Sequence, residues 1–267
     1  MREVVLLVPA AAVEDVLDRL LPIVPAGVRE RNAGAQIELR MRGDDLPDVG
    51  TIEAAIGRRP HRIHEREVSD DWRRRRLDDY ERDVIGGRLV VRPEWAPAPS
   101  AGVVDIVLAD SAAFGGGTHP TTRTCVEWLL EIPPRGSFAD LGCGTGVLAI
   151  VAARLGWHPV VALDVEPGSA AAAGENALRN DVTIDVRVSD LSAQRPPPAA
   201  AFAANVPAPL HQAIAARWNE PAPRVGLISG FGPDESDAVL DAYLSRGLRA
   251  RRHEIAGGWF VAVVEQD

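Results

Sequence analysis

The hydrophobic pattern of the chain falls into a first stretch of short, well-separated elements and a second in which apolar strand-like runs and helical runs alternate. Glu3–Val8 reads as a strand, and Ala11–Leu21 has the spacing of an amphipathic helix stopped at Pro22. Val28–Arg31 and Gln36–Arg42 read as two strands around Asn32-Ala33-Gly34. Asp48 is placed to cap a helix over Val49–Ile56, Gly57 to end it, and His61–Val68 to return as a strand. The order βαββαβ predicts a ferredoxin-like module, and no catalytic constellation lies in it. It reads as a partner-binding domain.

Ser69–Tyr80 follows as a helix with Ser69 as its cap and four consecutive arginines, Arg73 to Arg76, behind the first turn. A solvated helix face laced with ion pairs explains these charges more simply than a docking patch. Arg88–Arg92 looks like a strand, and the proline-rich stretch 93–102 like a stiff linker between domains at 1–92 and 103–267. Val103–Leu108 is then a strand leading into Phe114-Gly115-Gly116-Gly117-Thr118-His119-Pro120-Thr121-Thr122, a flexible loop able to close over a ligand. Thr121 or Thr122 is expected to cap the helix that runs on through Glu131.

From there strands and helices alternate as in a doubly wound sheet. Strands are expected at Ser137–Ala139, Pro159–Leu163, Ile184–Val188, Ala199–Ala204 and Val225–Ser229. Helices are expected at Val147–Ala153, Pro167–Arg179, Pro209–Trp218 and Asp234–Arg246. Arg249–Ile255 and Trp259–Val264, joined across Gly257-Gly258, read as a closing antiparallel pair. The expected fold class is α/β, a Rossmann-like seven-stranded domain behind a small α+β domain.

The chemistry centres on Asp140-Leu141-Gly142-Cys143-Gly144-Thr145-Gly146, between the first of these strands and its helix. Gly142 and Gly144 let the backbone turn tightly and approach a ligand where a Cβ would collide. Asp164 ends the second strand and is placed to hold the hydroxyls of a ribose. Dinucleotide sites use G-x-G-x-x-G, because a helix must present its N-terminus to a pyrophosphate. This chain has G-x-G-x-G after Asp140, and an acid there suits a cationic ligand such as S-adenosylmethionine better than a nicotinamide dinucleotide; a purely structural turn is the bland alternative. Asp190 and Asn205 stand at the ends of the third and fourth strands, on the edge where such sheets bind ligands.

Composition adds little and excludes some classes. The chain has 267 residues, 46% of them hydrophobic, and a net charge of −9, which argues against a general nucleic-acid binder. All 29 basic residues are arginine, a bias of the kind a GC-rich genome imposes. Cys125 and Cys143 offer neither a disulfide framework nor metal-ligand spacing, and the first apolar run is too short for a signal peptide or a membrane span. A cytoplasmic protein without bound metal is expected.

Together Phe114–Thr122, Asp140–Gly146, Asp164 and Asn205-Val206-Pro207 resemble the methyltransferases of ribosomal protein L-eleven (L11), a class I family with a small N-terminal recognition domain. The resemblance runs from about Asp71-Trp72 to the C-terminus. It implies S-adenosylmethionine as cofactor, with Thr122, Gly142, Asp164 and Asn205 at the contacting positions and Asp140, Gly144 and Asp190 completing the site. It also implies methyl transfer to lysine side chains and the N-terminus of the ribosomal protein by a monomer that touches neither nucleic acid nor membrane. Asn205 is the candidate for orienting the acceptor amine and His119 for accepting its proton, although a loop-stabilising histidine accounts for His119 more simply. Where the family reads Ile-Leu-Ala-Gly after the asparagine, this chain reads Val206-Pro207-Ala208-Pro209. Another protein lysine or a small amine as acceptor, and a non-catalytic ribosome-associated protein, remain as alternatives.

Overall fold

The computed structural model describes residues 2–9, 12–24, 27–33, 36–43, 45–57, 62–67, 84–109, 119–218 and 221–266. The chain forms two compact units, Met1–Tyr80 and Glu81–Asp267. The expected helix Ser69–Tyr80 and the loop Phe114–Thr118 lie outside the described residues.

In the first unit the elements are β1 (Arg2–Pro9), α1 (Val13–Leu20), β2 (Arg29–Ala33), β3 (Gln36–Gly43), α2 (Val49–Ile56) and β4 (Arg62–Glu67). The sheet has the order β2-β3-β1-β4 with every pair antiparallel, as in a ferredoxin-like module. Val4, Leu6 and Val8 alternate along β1 onto the covered face and meet Val16, Leu20, Ile52 and Ile56 from the two helices. Helix α2 has the expected limits because both ends carry local chemistry. The Asp48 carboxylate accepts the Thr51 N–H at 2.9 Å, and Gly57 leaves the helix at φ +70°.

The second unit opens with β5 (Leu89–Pro93) and β6 (Val104–Leu108), which pair in parallel. The expected linker at 93–102 is therefore a crossover inside this unit, and the two units part before it. Arg92 and Asp105 face each other across the pair with two hydrogen bonds of 2.7 and 2.8 Å, and Ala96 in the crossover is buried.

Then come α3 (Pro120–Leu129), β7 (Phe138–Leu141), α4 (Val147–Leu155), β8 (Val160–Asp164), α5 (Pro167–Arg179), β9 (Asp185–Val188), β10 (Ala201–Asn205) and α6 (Ala208–Arg217). The unit closes with β11 (Val225–Phe231), a 3-10 turn at Pro233–Glu235 that starts the expected helix, α7 (Ser236–Leu244), β12 (Leu248–Ala256) and β13 (Trp259–Gln266). Seven strands form one sheet in the order β12-β13-β11-β10-β7-β8-β9. β11, β10, β7, β8 and β9 run parallel, and β13 and β12 return antiparallel. One face packs on α3, α4 and α5, the other on α6 and α7. With both faces covered, the central strands are solid apolar runs, and their polar groups are left to the carboxyl edge.

Helix α3 starts differently from expectation. Pro120 occupies its first turn and His119 the cap position, with no side-chain capping bond, so Thr121 and Thr122 sit inside the helix, fully buried. Proline at the first helical position has the helical φ built in and no N–H to leave unpaired, which sets the start there.

Candidate functional site

Strand β7 ends in the glycine turn. Gly142, Gly144 and Gly146 all take positive φ, at +81°, +52° and +78°. A Cβ on Gly142 would lie 2.3 Å from Val206 Cγ1, and one on Gly146 2.8 Å from Ala173 Cβ, so neighbours from β10 and α5 close on the turn from both sides. The turn is tied to the end of β8: the Gly142 and Cys143 N–H groups donate to Leu163 O at 2.8 and 2.9 Å. Asp164 accepts the Gly144 N–H at 2.9 Å with one carboxylate oxygen and the Glu166 N–H at 3.0 Å with the other. These bonds fix both oxygens at the mouth of the turn.

Asn205 ends β10 one strand away. Its side chain is oriented by a short relay: Asn205 Nδ2 donates to Thr121 Oγ1 at 3.0 Å, and Thr121 Oγ1 lies 2.7 Å from His119 Nδ1. One amide N–H is thus committed to α3, while Asn205 Oδ1 is buried with no hydrogen-bond partner among the described residues. Thr122 Oγ1 is a second buried oxygen without a partner. Such atoms are costly unless something meets them. The His119 ring meets the Trp259 indole edge-on at 5.9 Å, and Trp259 is 40% exposed.

Behind this motif lies a buried polar network. Ser229 O accepts the Val206 N–H at 2.9 Å and lies 2.9 Å from His211 Nε2, while His211 Nδ1 meets Tyr243 Oη at 2.9 Å. A neutral imidazole that donates from Nε2 and accepts at Nδ1 satisfies both contacts. Gly230 at φ +94° passes where a Cβ would lie 2.5 Å from the Val206 nitrogen.

These edges surround a cleft of about 470 Å³. Of the residues expected from sequence, Gly142, Gly144, Asp164, Asp190 and Asn205 line it, whereas Asp140, Thr122 and His119 do not. Val165, Leu191, Ser169 and Leu210 were not anticipated. Val165 and Leu191 directly follow Asp164 and Asp190, so the signal was an apolar residue after each strand-end acid. Among the described lining residues there is no arginine, lysine or histidine, and there are two carboxylates.

Charge states follow the surroundings. Burial pushes the Asp140 carboxyl up to about 7, with the Asp164 charge adding to this and the Ala149 N–H, bound at 3.0 Å, opposing it. Asp190 is held below its ordinary value by the Ser192 hydroxyl and N–H. Burial lowers His119, and lowers His211 to about 4. The Cys125 thiol is pushed up to about 12 by burial and the Asp140 charge. Among the described residues no group of three or more histidines, cysteines or acids is arranged to hold a metal.

Residues 49–267 match the family described as ribosomal protein L11 methyltransferase (PrmA). The chain belongs to this family. It is 40% identical over 144 residues to a ribosomal protein L11 methyltransferase from Azotobacter vinelandii, covering 53% of this chain and 44% of that protein. It is 36% identical over 204 residues to one from Burkholderia ambifaria, covering 73% of this chain and 64% of the relative. The chain therefore spans less than two thirds of the length of either. A crystal structure of a ribosomal protein L11 methylase from Lactobacillus delbrueckii subsp. bulgaricus superposes with a TM-score of 0.62 at 24% identity, over 70% of this chain and all of that one. The family fold is thus the one observed, a class I methyltransferase sheet.

The residues present fit the S-adenosylmethionine of such a fold. Asp164 presents fixed carboxylate oxygens suited to ribose hydroxyls, Val165 and Leu191 offer apolar surface beside Asp190 for a purine, and Gly142 leaves backbone bare where a Cβ would strike Val206. A cleft whose described lining has two carboxylates and no cationic side chain suits a sulfonium and an ammonium, and disfavours a pyrophosphate.

Proposed function

We propose that the chain transfers methyl groups from S-adenosylmethionine to amino groups of ribosomal protein L11, on lysine side chains and the N-terminus. Family membership supports the reaction class, and the charge of the cleft carries the choice of cofactor. When bound, S-adenosylmethionine supplies an electrophilic methyl group on a positively charged sulfur. Asp164, Asp190 and the glycine turn hold the nucleoside end, and Asn205 stands at the acceptor end.

Direct displacement needs the amine lone pair in line with the breaking bond and water kept out. Asn205 Oδ1 is the group that takes an N–H of the incoming amine, because it is an acceptor with no partner among the described residues while the amide is oriented by its bond to Thr121. One N–H held in this way turns the lone pair toward the cleft. The amine, with an ordinary pKa of about 10.4, must arrive neutral, and leaving water disfavours its charged form. His119 is neutral at physiological pH, since burial lowers its pKa, and it holds Thr121 rather than the reacting proton. The half-exposed Trp259 beside it offers apolar surface to the hydrocarbon stem of a lysine. The first unit recruits the protein substrate, and the chain acts as a monomer in the cytoplasm, where ribosomal proteins are made.

Mass spectrometry of ribosomal protein L11 after incubation with the chain and S-adenosylmethionine tests this reading. Methylated lysines or a methylated N-terminus are expected. A small amine as sole acceptor would overturn the substrate and leave the cofactor standing.

A further inference from the structure

Two side chains from other elements satisfy backbone groups at the start of the helix that leaves the glycine turn. The first N–H groups of a helix have no partner within it, and Ala149, the third residue of α4, carries one of them. Here the Ala149 N–H donates to Asp140 Oδ2 at 3.0 Å, and Thr145 O is met by Asn176 Nδ2 at 3.0 Å. All three residues are buried: Asp140 is 1% exposed, Thr145 2% and Asn176 0%. One bond comes from β7 and the other from α5, on either side of Gly146, which has no side chain with which to cap the helix itself.

Asn176 does a second thing with its other amide atom. Its Oδ1 accepts the Ala109 N–H at 2.8 Å, just past the end of β6. One turn further along α5, Asn180 imitates a strand neighbour for Val107, accepting its N–H at 2.7 Å and donating to its carbonyl at 2.6 Å. Asn180 also donates to Asn176 O at 2.8 Å, which links the two amides. Both asparagines hold β6, but of the two only Asn176 also touches the cofactor turn. One side chain thus joins the cofactor turn to the end of β6.

We infer that Asn176 is a positioning residue for the cofactor turn, coupling the shape of Gly144-Thr145-Gly146 to the end of β6. This inference rests on the S-adenosylmethionine reading of the cleft. Two variants of identical chemistry separate it from a purely structural role. Asn176→Asp keeps the acceptor for Ala109 and turns a carboxylate oxygen toward Thr145 O; Asn180→Asp keeps the acceptor for Val107 and loses its donors, without facing the turn. Affinity for S-adenosylhomocysteine by calorimetry and thermal midpoint are measured on the full chain and both variants.

Wild-type binding is the control, and its absence would overturn the cofactor reading itself. Given wild-type binding, Asn176→Asp is expected to bind at least tenfold more weakly and Asn180→Asp within twofold of wild type, while both lower the midpoint. Equal affinities in all three proteins, or equal losses in both variants, would overturn the positioning role. Should Asn176→Asp not fold, amide exchange in the wild type decides: saturating S-adenosylhomocysteine is expected to slow exchange at Ala109 together with the turn amides, and an unchanged Ala109 would contradict the coupling.

Discussion

Asp164 has a structural job in the free protein, and the proposed function gives it a second in the complex. Its oxygens already accept two backbone N–H groups, which aims them before a ligand arrives. Asp164→Ala is expected to weaken binding of S-adenosylhomocysteine by about 1.5–3 kcal/mol, the worth of hydrogen bonds to a charged group. Calorimetry checks this, with the thermal midpoint measured alongside; unchanged affinity with a collapsed midpoint would make Asp164 a structural residue. Two other residues set opposing pH dependences. Asp140 is raised to about 7, so the stability it contributes is complete below its ordinary pKa and is lost as the pH rises through about 7. His211 is lowered to about 4, so its contribution is complete above about 6.5 and is lost as the pH falls toward 4. Asp140→Asn keeps an oxygen for the Ala149 N–H and removes the titration. Its midpoint relative to wild type should therefore rise steadily from pH 4 to pH 7 in thermal melts, and a constant difference would show that Asp140 is ionised throughout. Asp140 was expected at the cofactor from its place before the glycines, but it is buried and does not line the cleft, because strand alternation alone does not say which strand end bends away from the cleft.

At the level of elements, what could be read from sequence depended on whether the chemistry that ends an element is local. Helix α2 was legible to the residue because Asp48 and Gly57 act on their own neighbours, and α5 because Pro167 fixes its start. The parallel pairing of β5 with β6 was not legible. Its evidence is an ion pair between Arg92 and Asp105 and a buried Ala96, and a proline-rich crossover looks the same on paper as a linker. The carboxyl edge of the sheet was largely legible, since Asp164 and Asn205 each end a strand and Asp190 follows one by two residues; the relay from Asn205 to Thr121 and His119 required knowing that Pro120 starts α3. The glycine turn yields a prediction at this scale. Gly142→Ala must place a side chain at positive φ and 2.3 Å from Val206 Cγ1, overpacking that costs roughly 1–3 kcal/mol in itself. A lower thermal midpoint and at least a tenfold loss of S-adenosylhomocysteine affinity are expected in the same sample. Retention of full affinity would mean that Val206 moves aside freely and does not shape the cleft.

For the whole molecule, the proposed function gives the two units different work. The second has its own two-layered core around the seven-stranded sheet, and Ile85 and Leu89 belong to that core, so a chain shortened to begin near Glu81 should fold while one that begins past β5 should not. The shortened chain is expected to bind S-adenosylhomocysteine as the full chain does, measured by calorimetry, and to lose most transfer to a protein acceptor. Undiminished transfer would remove the recruiting role from residues 1–80. No helix among the described residues is long and apolar enough to cross a membrane. The central claim is that the acidic cleft beside Asn205 carries methyl groups to amines of ribosomal protein L11. Its most direct test is intact-protein and peptide mass spectrometry of that protein after incubation with the full chain and S-adenosylmethionine, with Asn205→Ala run in parallel. The account predicts methyl additions on lysine or N-terminal amines with the wild type and their near-complete loss in the variant; an unmodified ribosomal protein, from a chain that demonstrably binds S-adenosylmethionine, would contradict it.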